Sequence, residues 1–180
     1  MLRFKVVFLF LSSILFAINS NSEKQNFKII NNSSNASKIL FTLDNSEYNS
    51  EISENENKNE FKTNNEIGLT MDVGHPQLPI YSTLFKINPE KNYDISYNVI
   101  SSHTIENIDF KNYEGDSSNS SSIYPEDNMY VSDPQIMRDL VLNQVGFIPY
   151  KYFPEQKKLE IYELVEISIV ELGDSNFDYF

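Results

Sequence analysis

The 180-residue chain carries 26 acidic against 14 basic side chains, a net charge of −12, which disfavours nucleic acid and anionic membrane surfaces, because phosphate binding needs clustered Lys and Arg. The absence of cysteine excludes disulfides, thiolate metal sites, a cysteine nucleophile and a lipidated amino-terminal Cys. The length suffices for one domain with a real core, and 13 Phe and 11 Tyr with only 5 Gly supply aromatic core material suited to a β-sandwich.

Residues 1–20 have the form of a bacterial secretory signal. Arg3 and Lys5 give a positive start, residues 6–18 an apolar stretch, and Ser20 and Ser22 small residues for cleavage. An uncleaved anchor needs about 20 apolar residues, so this shorter run predicts a removed signal and a secreted or cell-surface product that crosses the bacterial periplasm. No membrane contact is expected after its removal. Residues 27–30 and 39–43 predict two short strands, paired as an edge hairpin across the Asn/Ser-rich run between them. From 44 to 66, seven acids face only Lys58 and Lys62 with few apolar residues between, which predicts a solvated or disordered acidic loop. Its Glu47, Glu51, Glu54 and Glu56 lack the alternating Asp/Asn pattern and central Gly of a calcium loop.

The alternation over 67–73 predicts a strand, which Gly74-His75-Pro76-Gln77-Leu78-Pro79 interrupts. Proline donates nothing to a ladder, so this piece is an extended bend or edge crossing. A strand over 80–87 follows, with Tyr81 and Phe85 as core aromatics, then a turn at Pro89-Glu90-Lys91-Asn92. In the next strand Tyr93, Ile95, Tyr97 and Val99 share one face while Asp94, Ser96 and Asn98 point away. Residues 104–113 predict another short strand. The insertion over 114–133 is long enough to be functional or disordered, and between 112 and 133 it has five acids and no Lys or Arg. A short strand and turn at 130–134 lead into two β-rich arms, 139–149 and 159–171, joined by the polar turn 153–158. They read as a β-hairpin. In its second arm Leu159, Ile161, Val165, Ile167 and Ile169 share one face that only Glu163 interrupts. At least seven strands at short intervals predict an all-β fold, an antiparallel, jelly-roll-like β-sandwich with disordered acidic loops.

Chemistry is sparse along the chain. His75 and His103 lie in different segments without a metal-ligand pattern and read as surface or edge-strand residues. No Gly-x-Ser-x-Gly elbow and no Gly-rich phosphate loop occurs. With so many acids some carboxylate pairs must fall at glycosidase spacing, and abundance alone does not mark a site. No catalytic residue, cofactor or metal is predicted. A row of tyrosines, Tyr93, Tyr97, Tyr150, Tyr152 and Tyr162, leaves a second reading open: a free-standing secreted β-sandwich that binds carbohydrate or serves adhesion through exposed aromatics.

Two patterns carry a resemblance. Gly74-His75-Pro76-Gln77-Leu78-Pro79, an apolar strand and Pro89 form the first. The second is Arg138-Asp139, an apolar strand, Pro149-Tyr150-Lys151-Tyr152-Phe153-Pro154, and the strand opening Leu159-Glu160-Ile161-Tyr162. In this order, behind a signal peptide, they resemble the amino-terminal prodomain of gingipain-type secreted cysteine peptidases over residues 67–172. The resemblance implies a β-sandwich that packs on a catalytic domain, holds the zymogen inactive, assists its folding and is removed by proteolysis. It names Gly74, Pro76, Leu78, Pro79, Pro89, Arg138, Pro149, Tyr152 and Pro154 as structural motif residues. It also implies a peptidase domain downstream in the same chain as partner, and the organisation 1–20 signal, 21–66 opening strands and acidic loop, 67–174 sandwich, 175–180 start of a linker. In some members a basic prodomain residue enters the specificity pocket; with no Lys or Arg in the long loop, that detail does not transfer. Lys111 and Arg138 flank the loop, and Arg138 has the ordinary role of an ion-pair or strand-end residue.

Overall fold

The computed structural model describes residues 26–33, 35–55, 58–62, 67–114, 121–138 and 140–175. The signal expected at 1–20, Glu56 of the acid cluster and residues 176–180 of the expected linker lie outside them, as do the side chains of Glu47, Glu51 and Glu54. The chain forms β1 (Phe27–Asn32), β2 (Ala36–Thr42), α1 (Asn45–Glu51), β3 (Ile52–Asn55), β4 (Lys58–Phe61), β5 (Gly68–Leu69), β6 (Pro79–Lys86), β7 (Lys91–Glu106), β8 (Met129–Val131), β9 (Gln135–Met137), β10 (Leu140–Phe147), β11 (Tyr150–Phe153) and β12 (Lys158–Asp174). All ladders are antiparallel, and the architecture is an all-β sandwich.

The first sheet is organised on β12, which pairs with β7 along one side and with β11 and then β2 along the other; β1 lies outside β2. The second is organised on β10, with β6 and then β5 on one side and β8 and β9 on the other. The sheets meet through rings: Phe41 of β2 lies 5.4 Å from Tyr81 of β6 and 5.2 Å from Phe147 of β10, and Tyr97 of β7 lies 5.3 Å from Phe147. Leu159, Ile161, Val165 and Ile167 are fully buried along β12. Each such side chain contributes about 1.5–3 kcal/mol of burial, which makes β12 the backbone of the core.

The alternation over 93–99 appears as expected, with Tyr93, Ile95, Tyr97 and Val99 packed against the core and Asp94, Ser96 and Asn98 exposed. Tyr81 is buried and Phe85 partly so. Three expectations are corrected. The two long arms are not a hairpin: β10 pairs in the second sheet, and the partner of β12 across the 153–158 turn is the four-residue β11. Pro149 is the physical reason, since it lacks the N–H a continuous strand would need, and the chain changes sheets at Ile148 and Pro149. The predicted strand over 104–113 is instead the end of the sixteen-residue β7, closed by Asn107 at φ 58°, followed by an irregular run. The acidic stretch after Asp44 is not a solvated loop in its described part, which folds as α1 and the β3–β4 hairpin. Two aromatics hold it down: Tyr48 and Phe61 are both buried, and Phe61 stacks on Phe110 at 5.1 Å and meets Tyr150 at 4.6 Å.

Glu163, the one acid on the apolar face of β12, sits where the β12–β7 register is irregular. Its carboxylate accepts hydrogen bonds from Ser101 Oγ at 3.0 Å and Tyr48 Oη at 3.4 Å, and Tyr48 also bonds Asn45. A half-buried charge is thus paired with hydroxyl donors rather than left bare. Burial, with Glu163 beside it, raises the Tyr48 phenol above its ordinary value.

Candidate functional site

The residues singled out in the sequence fall at the two ends of the β6–β10 ladder. Because these strands are antiparallel, with Tyr81 opposite Phe147 and Lys86 opposite Leu142, the start of β6 and the end of β10 share one end of the sheet. Gly74, Pro76, Leu78, Pro79, Pro149, Tyr152 and Pro154 belong to that end. Pro89 and Arg138 belong to the other, about 20–25 Å away at the rise of an antiparallel strand.

The first end is built on a bend that uses side chains where a ladder is impossible. Gly74 has φ 82°, a conformation glycine adopts without steric cost, and its N–H donates to Tyr113 O at 3.0 Å. Thr70 Oγ1 donates to Pro76 O at 3.2 Å and accepts from Leu78 N–H at 2.8 Å, and Thr70 N–H donates to Leu78 O at 2.9 Å. Those bonds close the loop around two prolines and leave Leu78 fully buried. Pro79 is the first residue of β6, a place where the missing N–H costs least.

Tyr124 then joins the bend to the 149–154 stretch. Its ring stacks on His75 with centroids 4.4 Å apart, its hydroxyl donates to Asp72 Oδ2 at 2.7 Å, and its backbone exchanges two hydrogen bonds with Tyr152, at 3.0 and 2.6 Å. Tyr152 meets Phe110 edge-on at 5.2 Å, and Pro149 O accepts from Tyr162 N–H at 2.8 Å. Buried Asn128 fixes the segment after Tyr124: its Nδ2 donates to Ile148 O and Tyr150 O. Pro154 opens a 3-10 turn whose last residue, Lys157, has φ 48°, and Lys158 Nζ lies 4.1 Å over the Phe153 ring. Burial raises the phenols of Tyr124, Tyr152 and Tyr162, the last to about 12, so all three stay protonated at ordinary pH.

The far end is plainer. Pro89 sits half-buried in the β6–β7 turn, which Asn88 closes by accepting from Glu90 N–H at 3.1 Å. Arg138 occupies an exposed turn between β9 and β10 at φ 57°.

Among the described residues no three His, Asp or Glu side chains converge as a metal site. His75 stacks on Tyr124, while His103 lies over Tyr48 with centroids 6.1 Å apart. The open hollow beside the first end carries Glu60, Lys111 and Glu114, with no Ser, Thr, Cys or His among its lining residues. The tyrosine row required of a carbohydrate-binding or adhesive module is not on the surface: Tyr150, Tyr152 and Tyr162 are buried, and Tyr93 and Tyr97 pack on the core. Sequence reasoning missed Tyr124 as the connecting residue. Its only signal was an aromatic before a proline in a run of polar residues.

Residues 85–175 match the family described as Propeptide_C25, a span that includes Pro89, Arg138, Pro149, Tyr152 and Pro154 and leaves the 74–79 bend outside. No curated protein matches the chain. Among solved structures, it is similar to a complex of the RgpB pro- and mature domains of Porphyromonas gingivalis, at 21% identity and a TM-score of 0.65, over 88% of this chain and 92% of that one. A structure concerned with the zymogenic latency of gingipain K, also from Porphyromonas gingivalis, aligns at 11% identity and a TM-score of 0.62, over 84% of this chain and 96% of that one. At these identities what is shared is the fold.

Proposed function

The chain belongs to the Propeptide_C25 family and is the non-catalytic prodomain of a gingipain-like cysteine peptidase precursor; on that premise we propose that it inhibits its peptidase domain and assists its folding. The family match carries the reading. The geometry supports it: rings and backbone bonds are spent on rigidity, as suits a body that binds another protein rather than a substrate. In this reading residues 1–20 are a signal peptide, the sandwich is the inhibitory body, and residues 175–180 lead toward a catalytic domain in the same precursor, secreted or held at the cell surface. The nine motif residues act structurally, as the clamp at one end of the β6–β10 ladder and the turns at the other. The net charge of −12 favours encounter with a basic partner surface.

The test is inhibition in trans. The segment from Asn21 onward, added to the mature peptidase domain of its own precursor, slows turnover in proportion to its concentration. Unchanged turnover at a large molar excess would count decisively against the inhibitory role.

A further inference from the structure

We propose that the outer face of the second sheet is the surface on which this prodomain docks to its peptidase domain, an assignment that rests on the zymogen reading above. Residues directly opposite in an antiparallel ladder share a face. Tyr81, Val145 and Phe147 point into the core, so their neighbours in sequence point out. The pairs Leu84 with Gln144, Lys86 with Leu142, Tyr130 with Gly146 and Met137 with Leu140 therefore line the outer face. Leu84 is 55% exposed, Met137 58% and Tyr130 42%.

Exposed apolar side chains also occur on the outer face of the first sheet, at Ile100 and Val170, but there they stand among charged and polar groups. The outer face of the first sheet pairs Asn98 with Glu166 and Ser96 with Ser168, and it carries the Lys38–Glu166 ion pair at 2.7 Å. On the second sheet, in a chain with 26 acids, the described outward residues of β6, β8, β9 and β10 include no Asp or Glu. The face is also flattened. A Cβ at Gly146 would stand 1.9 Å from the Tyr130 ring, so glycine lets that ring lie across the strand. An apolar, acid-free sheet face accepts a protein partner without desolvating carboxylates. A second copy of this chain is the poorer occupant, because two bodies of net charge −12 repel each other at moderate ionic strength. The peptidase domain is the partner left by the family to which the chain belongs.

The experiment measures binding and inhibition of the precursor's mature peptidase domain by the full prodomain chain, alongside its sedimentation as a function of concentration. Leu84→Glu and Met137→Glu weaken affinity about tenfold or more, as substitutions at the centre of an interface do, and Leu84→Ser weakens it by a smaller factor. Ser96→Glu, on the polar face, leaves it unchanged. Circular dichroism and thermal midpoints confirm that each variant folds; should either glutamate variant fail to, Leu84→Ser decides. Wild-type affinity in Leu84→Ser and Met137→Glu overturns the assignment while the zymogen reading stands. A wild-type dimer that the same variants split would also overturn it, in favour of a second copy. Failure of the wild-type chain to bind the peptidase at all strikes the zymogen reading itself and removes the assigned partner with it.

Discussion

The two ends of the β6–β10 ladder are both punctuated by proline, yet they are built differently. At the 74–79 and 149–154 end, buried rings and side-chain hydrogen bonds tie four segments together through Tyr124, Thr70 and Asn128. At the Pro89 and Arg138 end, surface turns are held by backbone and exposed polar bonds: Asn88 Oδ1 accepts from Glu90 N–H, Glu90 O accepts from Ser175 N–H at 2.7 Å, and Lys91 pairs with Asp174. Proline and glycine in a sequence announce that the ladder stops, and they do not announce whether what replaces it is a clamp or a turn. The difference lies in which side chains take over the backbone groups that the ladder abandons.

The contrast is tested most severely by Tyr152→Ala, which removes a buried ring at the clamped end and is expected to cost about 3–5 kcal/mol of stability in chemical denaturation. Thr70→Val leaves the Leu78 N–H without its acceptor and is expected to cost about 1–3 kcal/mol by the same measurement. Gly74→Ala forces a side chain into a left-handed backbone, at about 1–2 kcal/mol. A near-zero effect in all three would erase the distinction between the ends.

Alkaline pH offers a gentler probe. The phenols of Tyr124, Tyr152 and Tyr162 are raised in the folded state above an unfolded value of 10.0. Their contribution is complete below that value and is lost as pH climbs through the folded values, about 12 for Tyr162. Thermal midpoints should therefore fall from about pH 10 upward, and Tyr162→Phe should flatten the decline. An unaltered slope in that variant would show that its ionisation is not coupled to folding. The smallest effect is expected at the far end. Arg138→Gly relieves a left-handed residue while loosening the unfolded chain, and the two should cancel to within about 0.5 kcal/mol. A large loss there would mean that Arg138 is more than a strand-end residue.

Strand existence was legible where alternation is local, and pairing was not. Tyr93, Ile95, Tyr97 and Val99 declared the inner face of β7 because a strand's period is two residues wherever it pairs. The apolar arms on either side of Pro149 also declared themselves as strands. That they belong to different sheets depends on partners sixty residues and more upstream, Tyr81 for Phe147 and Thr42 for Leu164, which no local pattern encodes. The stretch after Asp44 misled because its acids dominate composition, whereas its placement is decided by two rings, Tyr48 and Phe61. At the clamped end Gly74, Pro76 and Pro79 were visible as breakers, while Tyr124 was not visible as the residue that connects them to Tyr152. Its partners are set by tertiary geometry alone.

The order of the strands has a kinetic consequence. Its first hairpin, β1 and β2, completes its pairing only when β12 arrives, and Lys38 meets Glu166 across 128 residues of sequence. Each ladder made by β12 except the short one to β11 waits on a similarly late encounter. A chain emerging from its amino terminus therefore has most of its apolar strands in hand before the strand that unites the first sheet exists. High contact order of this kind slows folding. The sandwich stays open until β12 has emerged and closes around that strand.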